Sequence, residues 1–182
     1  MYINEVDILN IIVISRVLYI GYKAGIFNEI IKGLGVFVAT LLSVHYCSRL
    51  GEILGAQLII SENRRDVYAF IFIAVISILL SFIIREGWMM ILKIDTHSRL
   101  INWGGLIFSM VRAYLLCGLI VLGLMISGSE LIAQRVYTSI SRIFFQKTSV
   151  DVYQNFYNKV IVNFFPKEPL NQKIINATST NQ

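Results

Sequence analysis

Residues 101–126 read INWGGLIFSMVRAYLLCGLIVLGLMI, and this stretch decides the fold. It is long and apolar enough to cross a bilayer as one helix, which takes about 20 residues. Its single charge, Arg112, lies near the middle. At 100° per residue, small side chains recur every fourth position and form a strip beside Arg112. The small-residue strip consists of Gly105, Ser109, Ala113 and Cys117. We therefore predict a membrane-spanning helix that other backbones can approach closely.

The composition of the whole chain also indicates a membrane protein. Of the 182 residues, 56% are hydrophobic and only 15% are charged, against roughly 25% charged in soluble domains. The net charge of +5 comes from scattered basic residues, which is typical of helix flanks at a lipid surface. We therefore expect a bilayer environment and no nucleic-acid partner. The two cysteines lie in apolar segments without metal spacing, and we interpret both as packing residues.

The hydrophobic runs predict an all-α fold with four transmembrane helices in a membrane domain over residues 1–126. The predicted spans are about 6–22, 30–47, 67–84 and 101–126. The N-terminus carries acidic residues and no basic region, so we expect the first span to be retained and not removed as a signal peptide.

Shorter amphipathic patterns predict interfacial helices outside these spans. They lie at residues 48–63, at 89–94 and over 127–165, where apolar side chains alternate with polar ones at helical spacing. The polar residues 166–182 are predicted to be a disordered tail.

Charged and small residues near the first two spans are candidate functional or structural positions. Arg16 interrupts the first span, and the sequence leaves equal weight on snorkelling to the interface and on pairing inside the bundle. Gly21 and Gly25 form a G-x-x-x-G pair, which predicts a turn and a close crossing between the first two helices. Glu29 opens the second span, where an acid suits the helix dipole. It is also the nearest candidate partner for an intramembrane arginine.

Arg112 carries the most specific signal in the chain. A central arginine costs about 2.5–3.5 kcal/mol on insertion scales, whereas each Leu, Ile, Phe or Val returns about 0.3–0.6. The helix therefore still inserts, but Arg112 should face protein, water or a carboxylate and not lipid. We favour a structural role between helices, with a ligand or pathway role as the alternative.

The sequence contains none of the common catalytic motifs. H-E-x-x-H, C-x-x-C, G-x-S-x-G and the phosphate-binding loop are all absent. We therefore expect no enzymatic activity, no cofactor and no metal site. A membrane enzyme would need a new constellation of Asp95, His97 and Glu29.

Several of these residues together give the chain a resemblance to a known family. They are Asp7 at the start of the first span, Gly21, Gly25 and Glu29 after it, and Gly105 and Arg112 in the last span. This pattern resembles the colicin V production (CvpA) family of bacterial inner-membrane proteins. The chain departs from the family where Ile101 and Asn102 replace an Asp-Arg pair, and where Ser109 and Ala113 replace glycines.

The resemblance implies a multi-pass inner-membrane protein that supports toxin production or secretion and envelope homeostasis. Together with the small-residue strip, it favours helix–helix contacts with partner membrane proteins or with a second copy. The alternative is a small channel or transporter with a polar route lined by Arg112 and Glu29. The numbers of basic residues flanking the spans are equal on the two sides of the membrane. The first helix has flanking basic residues only after it, so we predict that the N- and C-termini lie outside.

Overall fold

The computed structural model describes residues 3–57, 62–91, 99–127, 129–165 and 168–179. Regular structure within these ranges is helical. The four long helices are α1 (Glu5–Ala24), α2 (Ile26–Gln57), α3 (Glu62–Ile91) and α4 (Arg99–Ile126). The shorter elements are α5 (Glu130–Thr138), α6 (Ser141–Phe145), α7 (Thr148–Phe156), a π-helical turn (Tyr157–Ile161), α8 (Val162–Phe164) and α9 (Gln172–Ser179).

Three helices in the described ranges are long and apolar enough to cross a membrane. The qualifying segments are 26–56 in α2, 64–88 in α3 and 101–126 in α4, and 64–88 is the most hydrophobic of them. Since all three follow the predicted hydrophobic runs, the prediction of an all-α membrane protein is confirmed. α1 has 20 residues and is not among the three.

The four long helices pack in the order α1, α4, α2, α3. α4 runs antiparallel to α1 and parallel to α2, while α3 runs antiparallel to α2. α3 therefore makes most of its contacts with α2, and much of its surface stays exposed. The exposed apolar side chains of α3 include Ile71, Phe72, Val75, Leu79, Phe82 and Ile83.

The described parts of two predicted interfacial segments belong to the long helices instead, while residues 58–61 and 92–94 lie outside the described residues. Residues 48–57 continue α2, and residues 89–91 continue α3. The apolar residues of 48–57 fall at helical spacing, and nothing in the sequence interrupts the helix at residue 48. Asp95 and His97, which the enzyme hypothesis used, lie outside the described residues.

The polar tail differs from the predicted disordered segment. Residues 172–179 form α9, and Ile174 is buried in a core with Leu41, Val44 and Tyr153. Leu170 and Ile175 also pack against this core, so three apolar residues dock the segment although its overall composition is polar. The tail therefore adds to the core at the end of the bundle where α2 ends.

A hydrogen-bonded latch holds this C-terminal segment against α2. The Asn171 side-chain amide donates to the Val44 carbonyl oxygen at 2.7 Å, and its backbone N–H donates to the Tyr153 hydroxyl at 3.1 Å. That hydroxyl shares a 2.8 Å hydrogen bond with His45 Nδ1. Burial raises the pKa of Tyr153. The latch therefore joins α7, α9 and α2 through largely buried polar groups.

We expect Asn171→Ala to release the C-terminal segment from α2. The variant loses the hydrogen bond from the Asn171 side chain to the Val44 carbonyl oxygen, and fewer contacts then hold the segment in place. A lost hydrogen bond of this kind costs about 1–3 kcal/mol of docking free energy. Cys47 is fully buried and lies 3.5 Å from the Asn171 amide, so its thiol reports the release. In a Cys117→Ala background, labelling of Cys47 should rise several-fold. Asn163→Ala, at an exposed asparagine bonded within its own helix, is the matched control.

The same latch predicts a dependence on acid. Arg49 Nη2 lies 2.7 Å from Glu168 Oε2, and its guanidinium lowers the pKa of Glu168. His45 Nε2 faces the same carboxylate oxygen at 3.5 Å. Because the folded pKa is lowered, the pair contributes stability above the ordinary carboxyl pKa of about 4.3 and loses it as the pH falls further. Hydrogen exchange of residues 168–179, corrected for intrinsic rates, should therefore accelerate in acid.

Glu168→Gln removes the titrating carboxylate and is the control for this acid effect. The exchange of the variant at neutral pH should match that of the acidified wild type and should not change further in acid. Equal protection of the wild-type segment at neutral and acid pH would contradict the prediction.

Candidate functional site

The small-residue strip of α4 lies against α1 of the same chain. A Cβ atom added at Gly21 would overlap the Ser109 side chain, and one added at Gly105 would overlap the Gly21 carbonyl oxygen. Ser109 and Cys117 are fully buried. The close crossing that Gly21 makes is therefore with α4 and not with α2, which corrects the prediction from the G-x-x-x-G pair. Since α1 covers the strip, a partner protein would have to use another face.

Gly25 forms the turn between α1 and α2. Its φ of 78° lies in the left-handed region, where glycine avoids the steric cost of a side chain. Because of this turn, only Gly25 separates the end of α1 from the start of α2, and Glu29 lies in the first turn of α2.

Asp7 anchors the start of α1 to the helices that follow α4. Its carboxylate accepts hydrogen bonds from the Ser141 backbone N–H at 2.7 Å and from the Ile140 N–H at 3.3 Å. It also accepts from the Asn4 N–H within a capping box at the start of α1. These three donors give the buried carboxylate a structural role at the start of α6.

Glu29 and Arg112 form a buried ion pair between α2 and α4. Arg112 Nη1 lies 2.8 Å from Glu29 Oε2, and the Glu29 side chain is 0% exposed. Glu29 Oε1 also accepts from Lys32 Nζ at 2.8 Å. One buried carboxylate therefore holds two cations, and the predicted partnership of Glu29 with an intramembrane arginine is observed.

A cavity of about 350 Å³ lies beside this pair, between α2, α3 and α4. Three cationic residues line it: Lys32, Arg85 and Arg112. The rest of the lining consists of Ile20, Gly35, Val36, Ile78, Ser81, Phe82 and Leu116. Arg85 also pairs with its neighbour Glu86. The cavity therefore combines an apolar wall with three positive charges.

Two N–H groups of these cations have no acceptor among the described residues. They are the buried Nε atoms of Arg85 and Arg112. Buried donors are usually satisfied, so an unmatched pair on residues that line one cavity marks a place for an acceptor. The nearby carboxylates, Glu29 and Glu86, supply two negative charges against three positive ones. The arrangement can accept an anion.

The other predicted positions do not join this cluster. Arg16 is exposed on α1, on the side away from α4, so the structure favours the snorkelling interpretation of this residue. Sequence reasoning missed Asn10, which is buried with both side-chain polar atoms unpartnered among the described residues. It also missed Lys32 and Arg85 as cavity residues. Lys32 could have been found from its i,i+3 spacing to Glu29.

The described residues contain no group of three or more His, Cys, Asp or Glu side chains that could hold a metal ion. Comparison with family models matches residues 6–150 to the model described as colicin V production protein. Comparisons with curated proteins and with solved structures gave no match.

Proposed function

This chain belongs to the colicin V production protein family, and we propose that it serves colicin V production as a non-enzymatic factor of the bacterial inner membrane. The family match over residues 6–150 is the observation that carries the proposal, because it includes all four long helices and the start of α7. The three apolar helices support a multi-pass protein in a bilayer. A role in toxin release or envelope homeostasis is part of this proposal, and the family match supports it.

The activity is tested by complementation. Cells that make colicin V but lack their own family member should regain release of active toxin when they express this chain. Toxin release is measured as killing of sensitive cells by the culture medium, with intracellular toxin measured in parallel. No recovery of release from a chain that is present in the membrane would overturn the proposal.

Helix–helix contact with partner membrane proteins is the proposed mode of action, and α3 is the surface that supports it. The small-residue strip is occupied by α1, whereas α3 leaves Leu79 and its apolar neighbours exposed. A photo-crosslinking residue at Leu79 should give a protein adduct of defined mass in producing cells. The same residue at Ile12, which is equally exposed on α1, should give lipid adducts only. Lipid adducts alone at both positions would contradict the partner contact.

We further propose that α1 spans the membrane as a fourth helix, with both termini outside. α1 lies antiparallel along α4, from Gly21 beside Gly105 to Asn10 beside Cys117. Its exposed residues are largely apolar, whereas Asp7 and Asn10 face inward. Asn4 contacts α5 and Asn171 contacts α2 at the same end of the bundle, which supports placing both termini on one side. Reporter fusions at both ends should report the outer compartment.

A channel or transporter is the second candidate, because the cavity lies beside Arg112. Glu29 itself is fully buried and paired, so it supports Arg112 and contributes no exposed surface. The test is ion and proton flux into liposomes that contain the purified protein, for the wild type and for Arg112→Ala. Flux that disappears in correctly inserted Arg112→Ala would favour transport, and no flux from the wild type would exclude it.

A further inference from the structure

We propose that the cavity between α2, α3 and α4 binds the anionic headgroup of a membrane phospholipid, held by Lys32, Arg85 and Arg112. This inference goes beyond the proposed function and does not depend on it. The cations that line the cavity support it, together with the two guanidinium donors for which the described part of the chain supplies no acceptor.

The charge balance favours an anionic oxygen ligand. Glu29 is shared by Lys32 and Arg112, and Glu86 pairs with Arg85. One positive charge remains uncompensated in this group, beside two buried N–H groups that have no acceptor within the described ranges. A phosphate group carries several acceptor oxygens, and guanidinium groups bind it in charge-assisted hydrogen bonds. A phosphate oxyanion would therefore satisfy both the charge and the donors.

The apolar wall favours an amphiphilic ligand over a free ion. Five of the lining residues are apolar and come from all four long helices: Ile20, Val36, Ile78, Phe82 and Leu116. A small inorganic anion would gain nothing from this surface, whereas the glycerol and first methylenes of a lipid would be removed from water against it. The cavity volume of about 350 Å³ suits a headgroup, since small-ligand sites run from roughly 300 Å³ upward.

The cavity begins near the depth of lipid headgroups, at Arg85, and extends inward to Ile78, midway along the span of α3. Exposed Tyr68 and Trp88 are 20 residues apart on α3, which is about 30 Å at 1.5 Å per residue and matches the hydrocarbon thickness. Aromatic residues of this kind mark the two membrane interfaces. Arg85 lies three residues before Trp88, about one turn inside that interface. A lipid in the outer part of the cavity could therefore keep its chains along the exposed face of α3.

The experiment uses the purified full-length protein in detergent with added phosphatidylglycerol, phosphatidylcholine or inorganic phosphate, and it counts bound molecules by native mass spectrometry. We expect phosphatidylglycerol to bind about tenfold more tightly than phosphatidylcholine, because only the first carries a net negative charge. Arg85→Gln and Lys32→Gln should each weaken phosphatidylglycerol binding by about tenfold. Lys23→Gln, at an exposed lysine near the same interface but outside the cavity lining, should bind as the wild type does.

Three outcomes would overturn the proposal. In the first, the two lipids bind equally well. In the second, both cavity variants bind phosphatidylglycerol as the wild type does. In the third, millimolar phosphate displaces the lipid and stays bound to the protein itself. The last outcome would identify a free-anion site. Thermal unfolding of each variant is monitored through the exposure of the buried cysteine thiols. This measurement shows whether a variant loses lipid binding because it has lost its folded structure. Complementation of toxin release is measured separately, so failure of lipid binding and failure of the proposed function remain distinguishable.

Discussion

Replacing Glu29 by alanine is expected to destabilise the folded chain by about 3–5 kcal/mol. The variant removes the only carboxylate that the described residues place on Arg112, and it also takes the partner from Lys32. Arg112 is 6% exposed, so its charge would remain buried without compensation. The cost arises from that stranded cation more than from the lost attraction, since an intact buried pair contributes little net stability.

The unfolding midpoint in detergent measures this effect. Unfolding is monitored by the reaction of the two buried cysteines with a thiol-reactive dye. Lys32→Ala should have a much smaller effect on the unfolding midpoint. The Lys32 side chain is partly exposed, and Glu29 remains paired with Arg112 in this variant. The double variant Glu29→Leu with Arg112→Leu should recover most of the lost stability, because it removes the stranded buried cation and leaves only the partly exposed Lys32 without its carboxylate. An unfolding midpoint of Glu29→Ala equal to that of the wild type would contradict the structural role of the pair.

Replacing Gly105 by leucine is expected to separate α1 from α4. A Cβ atom at this position would lie 2.9 Å from the Gly25 carbonyl carbon and closer still to the Gly21 carbonyl oxygen, and neither backbone can turn aside as a side chain can. Overpacking of this kind costs about 1–3 kcal/mol, and it costs more where backbone must move. The variant therefore loses internal packing, which is a different consequence from loss of contact with a partner.

Cys117 provides the measurement, since it is buried beneath α1 and its thiol faces the Asn10 carbonyl oxygen. In a Cys47→Ala background, Gly105→Leu should make Cys117 reactive in the folded protein. Gly33→Leu is the matched control, because a Cβ atom at Gly33 would meet no atom of the described residues within 4 Å. The prediction would be contradicted if Cys117 stayed unreactive in Gly105→Leu while the variant lost its contact with a protein partner. That result would indicate that the small-residue strip binds a partner.

One local signal was enough to suggest the pairing of Arg112 with Glu29 that the structure contains. Arg112 was expected to face protein, water or a carboxylate because its desolvation cost is large, and Glu29 was its nearest candidate partner. The cavity could not be predicted in the same way. Lys32 and Arg85 look like ordinary interfacial residues, and only the packing of α3 on α2 and of α2 on α4 brings them to Arg112.

The sequence by itself determined that this is a membrane protein of long apolar helices, and it identified the family. Hydropathy and helix length are local properties, so residues 101–126 carry them without reference to any other segment. The tertiary structure decided which faces meet. It placed α1 on the small-residue strip, turned the polar tail into a docked α9, and gathered three cations around one cavity. Inside a bilayer the hydrophobic effect does not select helix partners, so close packing and buried charge make that choice, and both depend on three-dimensional fit.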